Sequence, residues 1–175
     1  MTRALVVYES MFGNTQQIAQ AVAEGLSTSA AVDVVEVGAA LPLLLDDVDL
    51  LVVGAPTHAF GLSRPSTRES AVDQADGMVV STGIGLREWL DGLDNRHPTA
   101  QVAAFDTRMK AALLSGSAAR RALSKLRRLG FHVAARPESF AVTGMRGPLR
   151  DGEIDRARQW GARIAAEHAA RYHVT

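Results

Sequence analysis

The chain has 175 residues, 47% of them hydrophobic and 22% charged, with 19 basic side chains balancing 19 acidic ones. That length suits one domain able to bury most of its apolar surface, and a formal net charge of zero gives no general case for binding nucleic acid. Cysteine is absent, which excludes disulfides, thiolate nucleophiles and Cys-ligated metals, and no apolar run nears the roughly 20 residues of a membrane span. The N-terminus runs straight into a strand pattern without a signal-peptide signature, so the expected address is the cytoplasm.

Taken in chain order, the first element is the apolar run Leu5-Val6-Val7-Tyr8, read as a buried strand. It breaks into the polar turn Ser10-Met11-Phe12-Gly13-Asn14-Thr15 and then into a helix over 15–27, with Ile18, Ala19, Val22 and Leu26 on one face. A strand turning sharply into a helix aims free backbone N–H groups and the positive end of the helix dipole at one point, which is an anion site. Hydroxyls at Ser10 and Thr15, the Asn14 amide and a glycine complete a cradle for one phosphate.

Further strands are expected at 32–37, 50–54 and 101–105, and a fifth in two pieces, 131–135 and 140–142, around Pro137. Helices are expected at 66–76, 86–93, 116–129 and 152–171. The last carries an inward stripe of Ile154, Ala157, Gly161, Ile164 and Ala165 behind Asp151 as its cap. Trp89 and Trp160 sit on helical patterns and read as packing residues, and Ser115-Gly116-Ser117 reads as an N-cap. Apolar strands separated by helices imply an α/β protein with a parallel sheet covered on both faces. Gly83 and Gly85 make no GxGxxG, so a dinucleotide fingerprint is absent.

Val6, Val7, Tyr8, Ser10, Gly13, Thr15, Ala19 and Val22 match the flavodoxin signature position for position, so the chain resembles the flavodoxin-like FMN-binding family. The resemblance implies a doubly wound, five-stranded parallel sheet of order 2-1-3-4-5 with helices on both faces. It also implies non-covalent FMN, with Ser10, Met11, Phe12, Gly13, Asn14 and Thr15 around the phosphate. Met11 and Phe12 stand where many flavodoxins carry further hydroxyls, a departure that weakens the phosphate site without removing its backbone donors.

The second loop the resemblance assigns to the flavin is Pro56-Thr57-His58-Ala59-Phe60-Gly61, opening a connection of about 30 residues, far above the usual few. Phe60 is expected to stack on the ring. Gly61 is expected to approach flavin N5 and, on one-electron reduction of the flavin, to turn its carbonyl through a positive φ. His58 reads either as a solvated loop residue or as a hydrogen-bonding and proton-transfer group. The third loop, Phe105-Asp106-Thr107 with Arg108 and Met109 behind, departs from the family's Gly-rich pattern. Phe105 can belong to the flavin or to the core, and a carboxylate at Asp106 beside the flavin would oppose negative charge on the reduced ring.

Between Thr107 and Pro137 stand eight basic residues and no acidic one: Arg108, Lys110, Arg120, Arg121, Lys125, Arg127, Arg128 and Arg136. The stretch reads either as a solvated helix face or as a docking surface for an acidic partner or the 2′-phosphate of NADPH. Typical flavodoxins are acidic around the flavin, so this chain departs from them here. The function implied is that of an FMN redox protein, either an electron carrier or a reductase resembling NAD(P)H:quinone reductases, served by a redox partner protein or NAD(P)H. The alternative is a flavodoxin-like domain that has lost FMN and acts as an interaction module. A phospho-acceptor receiver would need acidic residues where Ser10 and Gly54-Ala55-Pro56 stand.

Overall fold

A computed structural model describes residues 1–75, 78–94, 99–110 and 116–172. Its strands are β1 (Thr2–Tyr8), β2 (Ala30–Glu36), β3 (Leu50–Pro56), β4 (Gln101–Met109), β5 (His132–Val133) and β6 (Glu138–Val142). They interleave with helices α1 (Asn14–Leu26), α2 (Pro65–Gln74), α3 (Leu86–Asp91), α4 (Ala118–Arg128) and α5 (Glu153–Tyr172). β1 and β3 are apolar almost throughout because they lie inside the sheet, with helices on both faces. The order is β2-β1-β3-β4-β5, all pairs parallel, with β6 also pairing β4. The expected 2-1-3-4-5 order is therefore present. Its fifth position is filled by two successive strands: β5 pairs the start of β4 and β6 pairs its second half.

One face of the sheet, from Leu5, Val7, Leu51, Val53 and Val102, packs on α3 and α4. Trp89 is buried there and its indole N–H donates to the Ala40 carbonyl at 2.7 Å. The other face packs on α1 and α5 around three rings, Phe105, Phe140 and Trp160, meeting edge to face with centroids 6.0 to 6.2 Å apart. Each such pair is worth about 0.5–1.5 kcal/mol beyond its burial. Phe105 lies across its register partner Gly54, where a Cβ would sit 2.0 Å from the ring. Any side chain at Gly54 would expel the ring, so Phe105 belongs to the core.

The largest difference from expectation is in β4, which runs to Met109 where a loop after residue 105 was expected. Pairing with β3 continues to Pro56↔Thr107, and pairing with β6 to Met109↔Val142. The polar residues Asp106 and Thr107 stay in the strand because each is buried with a side-chain partner. Helix positions follow expectation within a few residues. Residue 76, the expected end of α2, and Ser115 lie outside the described residues, while Ser117 caps α4 by accepting the Arg120 N–H.

Candidate functional site

The C-terminal ends of β1, β3, β4 and β6 converge with α2 on a cavity of about 420 Å³. Ser10, Met11, Phe12, Asn14 and Thr15 form one wall. Gly13 sits at φ 89 as the N-cap of α1, a conformation glycine takes without strain, and it offers no side-chain cap of its own. The Ser10 hydroxyl oxygen fills that gap, accepting the Gly13 N–H at 3.1 Å and the Gln16 N–H at 3.3 Å. Among the described residues nothing accepts from the N–H groups of Phe12, Asn14 or Thr15. These donors, at the positive end of a 13-residue helix, are what a single anionic group needs. Thr15 and Thr107 share a buried hydroxyl–hydroxyl bond of 2.7 Å beneath the cavity.

The opposite rim is a hairpin. His58 and Gly61 exchange both backbone hydrogen bonds, each 2.8 Å, around the two-residue loop Ala59-Phe60. Both loop residues take positive φ, 33° at Ala59 and 77° at Phe60, as tight hairpin turns of this twist require. Non-glycine residues in that region cost about 1–2 kcal/mol each. Gly61 is not among the positive-φ residues, its N–H and carbonyl are both committed to His58, and it does not line the cavity. The strain lies one and two residues earlier. Pro56, Thr57, His58, Ala59 and Phe60 do line the cavity, with Phe60 64% exposed at its lip. The hairpin closes on the start of α4, since a Cβ on Gly116 would stand 1.9 Å from the Phe60 carbonyl oxygen.

Phe105 and Asp106 lie away from the cavity, whereas Thr107, Arg108 and Met109 line it. Asp106 is fully buried. Its Oδ2 accepts from Ser117 Oγ at 2.5 Å, Thr57 Oγ1 at 3.1 Å and the Ala119 N–H at 3.1 Å. The carboxylate thus ties β3, β4 and the start of α4 together from behind the site. The expected position of Asp106 beside a bound ring is corrected by this burial.

Six lining residues were not anticipated, and four of them belong to α2: Thr67, Ser70, Ala71 and Gln74. They recur at i, i+3, i+4 and i+7 along α2, so they share one helix face. That spacing was readable, but the stripe is polar and small, and amphipathic reasoning looks for apolar stripes. Val142 and Met145, at and after the end of β6, close the remaining side.

Glu9 anchors the long connection that carries this wall. Although it is fully buried, its Oε1 accepts from Ser63 Oγ at 2.5 Å and its Oε2 from the Leu86 N–H at 2.7 Å. Arg68 of α2 donates to Ser63 Oγ at 2.9 Å and pairs with Glu88 at 3.1 Å, and Arg87 caps the carbonyls of Leu62 and Ser63. Near the far end of the connection, Ser81 exchanges backbone and hydroxyl bonds with Ser10, and the Val80 N–H donates to the Met11 carbonyl. Burial pushes the Glu9 carboxyl above the usual carboxylate range, against the opposing pull of Ser63, Leu86 and Arg68. Burial, reinforced by the Arg68 charge, lowers His58, so its ring is neutral at pH 7 and offers one donor and one acceptor nitrogen.

A family model described as Flavodoxin matches residues 6–162. Among solved structures, a flavodoxin from the domain Archaea superposes with a TM-score of 0.66 at 21% identity, covering 96% of this chain and 99% of that one. Oxidised flavodoxin 1 from Bacillus cereus gives 0.66 at 19% identity, covering 97% and 98%. A curated relative, an NAD(P)H dehydrogenase (quinone) from Acidovorax ebreus, is 36% identical over 99 residues, covering 45% of this chain and 48% of its own. The chain thus spans about half the length of that relative. The turn, the sheet order and a family match over most of the sequence agree, and the chain belongs to the flavodoxin family.

Proposed function

We propose that the protein binds FMN non-covalently and transfers electrons through it. The observation that carries this reading is that Phe12, Asn14 and Thr15, whose N–H groups have no acceptor among the described residues, line a cavity of about 420 Å³ at the positive end of the α1 dipole. Those donors and the Ser10 and Thr15 hydroxyls fit one terminal phosphate. Phe12, Pro56, His58 and Phe60 offer the mixed aromatic and apolar walls that suit a flavin ring. When bound, FMN supplies one- and two-electron redox chemistry.

The chain's own residues do the rest. The α2 face of Thr67, Ser70 and Gln74 supplies polar contacts. Neutral His58 is available to donate or accept one hydrogen bond at the ring, and exposed Phe60 screens the lip from water. The relative's name, together with a cavity roomy enough for a polar second wall, supports NAD(P)H-linked reduction as the finer reading, above that of a passive carrier.

Fluorescence-quenching titrations of the purified protein test the cofactor assignment. FMN is expected to bind with micromolar or tighter affinity, and riboflavin, which lacks the phosphate, more weakly. Equal affinities would sink this reading of the turn. Failure of both to bind would favour a family member that has lost its flavin and serves as an interaction module. Bleaching of the FMN-loaded protein by NADPH without added enzyme would establish the reductase reading over the carrier.

A further inference from the structure

Away from the cavity, α4 carries Arg120, Arg121, Lys125, Arg127 and Arg128 and no acidic residue. Lys125 is matched by Asp91. Elsewhere Arg3, Arg68, Arg156 and Arg158 are all ion-paired. Arg120, Arg127, Arg128 and Arg136, all exposed, have no ion-pair partner among the described residues. These four rim a single groove of about 700 Å³ whose apolar floor is Leu123, Val133 and Pro137.

Helix electrostatics account for only part of this arrangement. Cations in the last turn of α4 are favoured by the helix dipole, which explains Lys125, Arg127 and Arg128. The same dipole disfavours Arg120 in the first turn, and it has no bearing on Arg136, which stands on the other wall beyond β5. Four like charges gathered around one concavity repel one another, so the groove is a surface that gains by meeting anions.

We infer that this groove docks an acidic segment of a protein partner. Guanidinium groups fork onto carboxylates bidentately, and the Leu123–Val133–Pro137 floor gives apolar side chains of such a segment a place to pack. The groove runs about 12 Å along α4, at 1.5 Å per residue from Arg120 to Arg128. The first turn of α4, from which Arg120 reaches the groove, also adjoins the hairpin: the neighbouring Arg121 side chain lies 3.3 Å from where a Cβ on Gly61 would stand. A partner seated there is steered toward the lip where Phe60 is exposed. The inference rests on the electron-transfer reading for the partner's redox role, and on the groove alone for its acidity.

The test uses the whole chain and a fluorescein-labelled deca-glutamate peptide, followed by anisotropy at low salt. Arg127→Glu with Arg136→Glu alters the groove, and Arg150→Glu with Arg163→Glu makes the same charge change on exposed positions elsewhere. The groove pair is expected to lose about tenfold or more in affinity while the control pair stays near wild type. Equal losses in both pairs would overturn the inference by reducing it to net charge. Tighter binding of a ten-nucleotide single strand than of the peptide would overturn it in favour of nucleic acid. Displacement of the peptide by 2′,5′-ADP would overturn it in favour of a nucleotide phosphate. FMN titration of the same samples keeps the two proposals apart. Groove-dependent peptide binding without FMN binding would sink the redox reading and leave the groove standing, and FMN binding with groove-independent peptide binding would do the reverse.

Discussion

The two rims of the cavity are built on opposite plans. The turn Ser10–Thr15 is local: a strand end, a helix start, one glycine at the only positive φ and one serine hydroxyl filling the loop. The hairpin and the connection behind it are held from a distance. Glu9 binds Ser63 and Leu86, residues 54 and 77 positions away, and the tight turn is made by Ala59 and Phe60 without glycine. The first rim takes its shape from neighbouring residues and is only braced from outside, by Ser81, Val80 and Thr107. The second keeps its shape only while a buried polar network and a strained loop are both maintained.

Glu9→Ala should break this contrast most severely. Removing the carboxylate leaves the buried Ser63 hydroxyl and Leu86 N–H without their acceptor, at a cost of about 3 kcal/mol in urea unfolding. A loss below about 1 kcal/mol would mean that the connection is held chiefly by its other contacts.

Acidity sharpens the same point. The folded state raises the Glu9 pKa, so the folded protein holds its proton more readily than the unfolded chain does. The resulting stabilisation is complete below the ordinary carboxylate value of 4.5 and fades as pH rises through the raised value. Unfolding free energy at this site should therefore fall with rising pH above 4.5, and Glu9→Gln should flatten that slope. An unchanged slope in the variant would assign the pH dependence to other groups.

On the local rim the expected effect is on the ligand. Thr15→Val removes a hydroxyl that lines the cavity and bonds Thr107, and FMN affinity should drop by about 2 kcal/mol while the fold survives. An unchanged dissociation constant would place the phosphate elsewhere.

This difference in construction also explains what could be read from the sequence. The strand–turn–helix over residues 5–26 is specified by its neighbours along the chain, so its pattern and the sheet order were legible. Asp106 was misread as a loop residue because a carboxylate in a strand makes sense only once Thr57, Ser117 and the Ala119 N–H surround it. Glu9 carries no local signal of its role, since its partners Ser63 and Leu86 lie far along the chain. The wall of α2 escaped notice because PSTRESAVDQ presents its cavity face in small polar residues. Composition signalled the basic stretch, but not that Arg136 lines one groove together with Arg120, Arg127 and Arg128.

The smallest effect concerns where the hairpin stores strain. Ala59 at φ 33 should be relieved by glycine, which reaches positive φ without a Cβ clash. Glycine also makes the unfolded chain more flexible, and that loss offsets part of the gain. The net expectation for Ala59→Gly is a stabilisation of about 0.5–1 kcal/mol. Gly61→Ala provides the opposing measurement. Gly61 lies outside the positive-φ set, and a Cβ there meets only the flexible Arg121 side chain at 3.3 Å, so this change should stay within about 0.5 kcal/mol of wild type. Urea midpoints of the two variants decide the matter. A markedly destabilised Gly61→Ala beside a neutral Ala59→Gly would return the strain to residue 61, and would mean that the hairpin turns at its glycine after all.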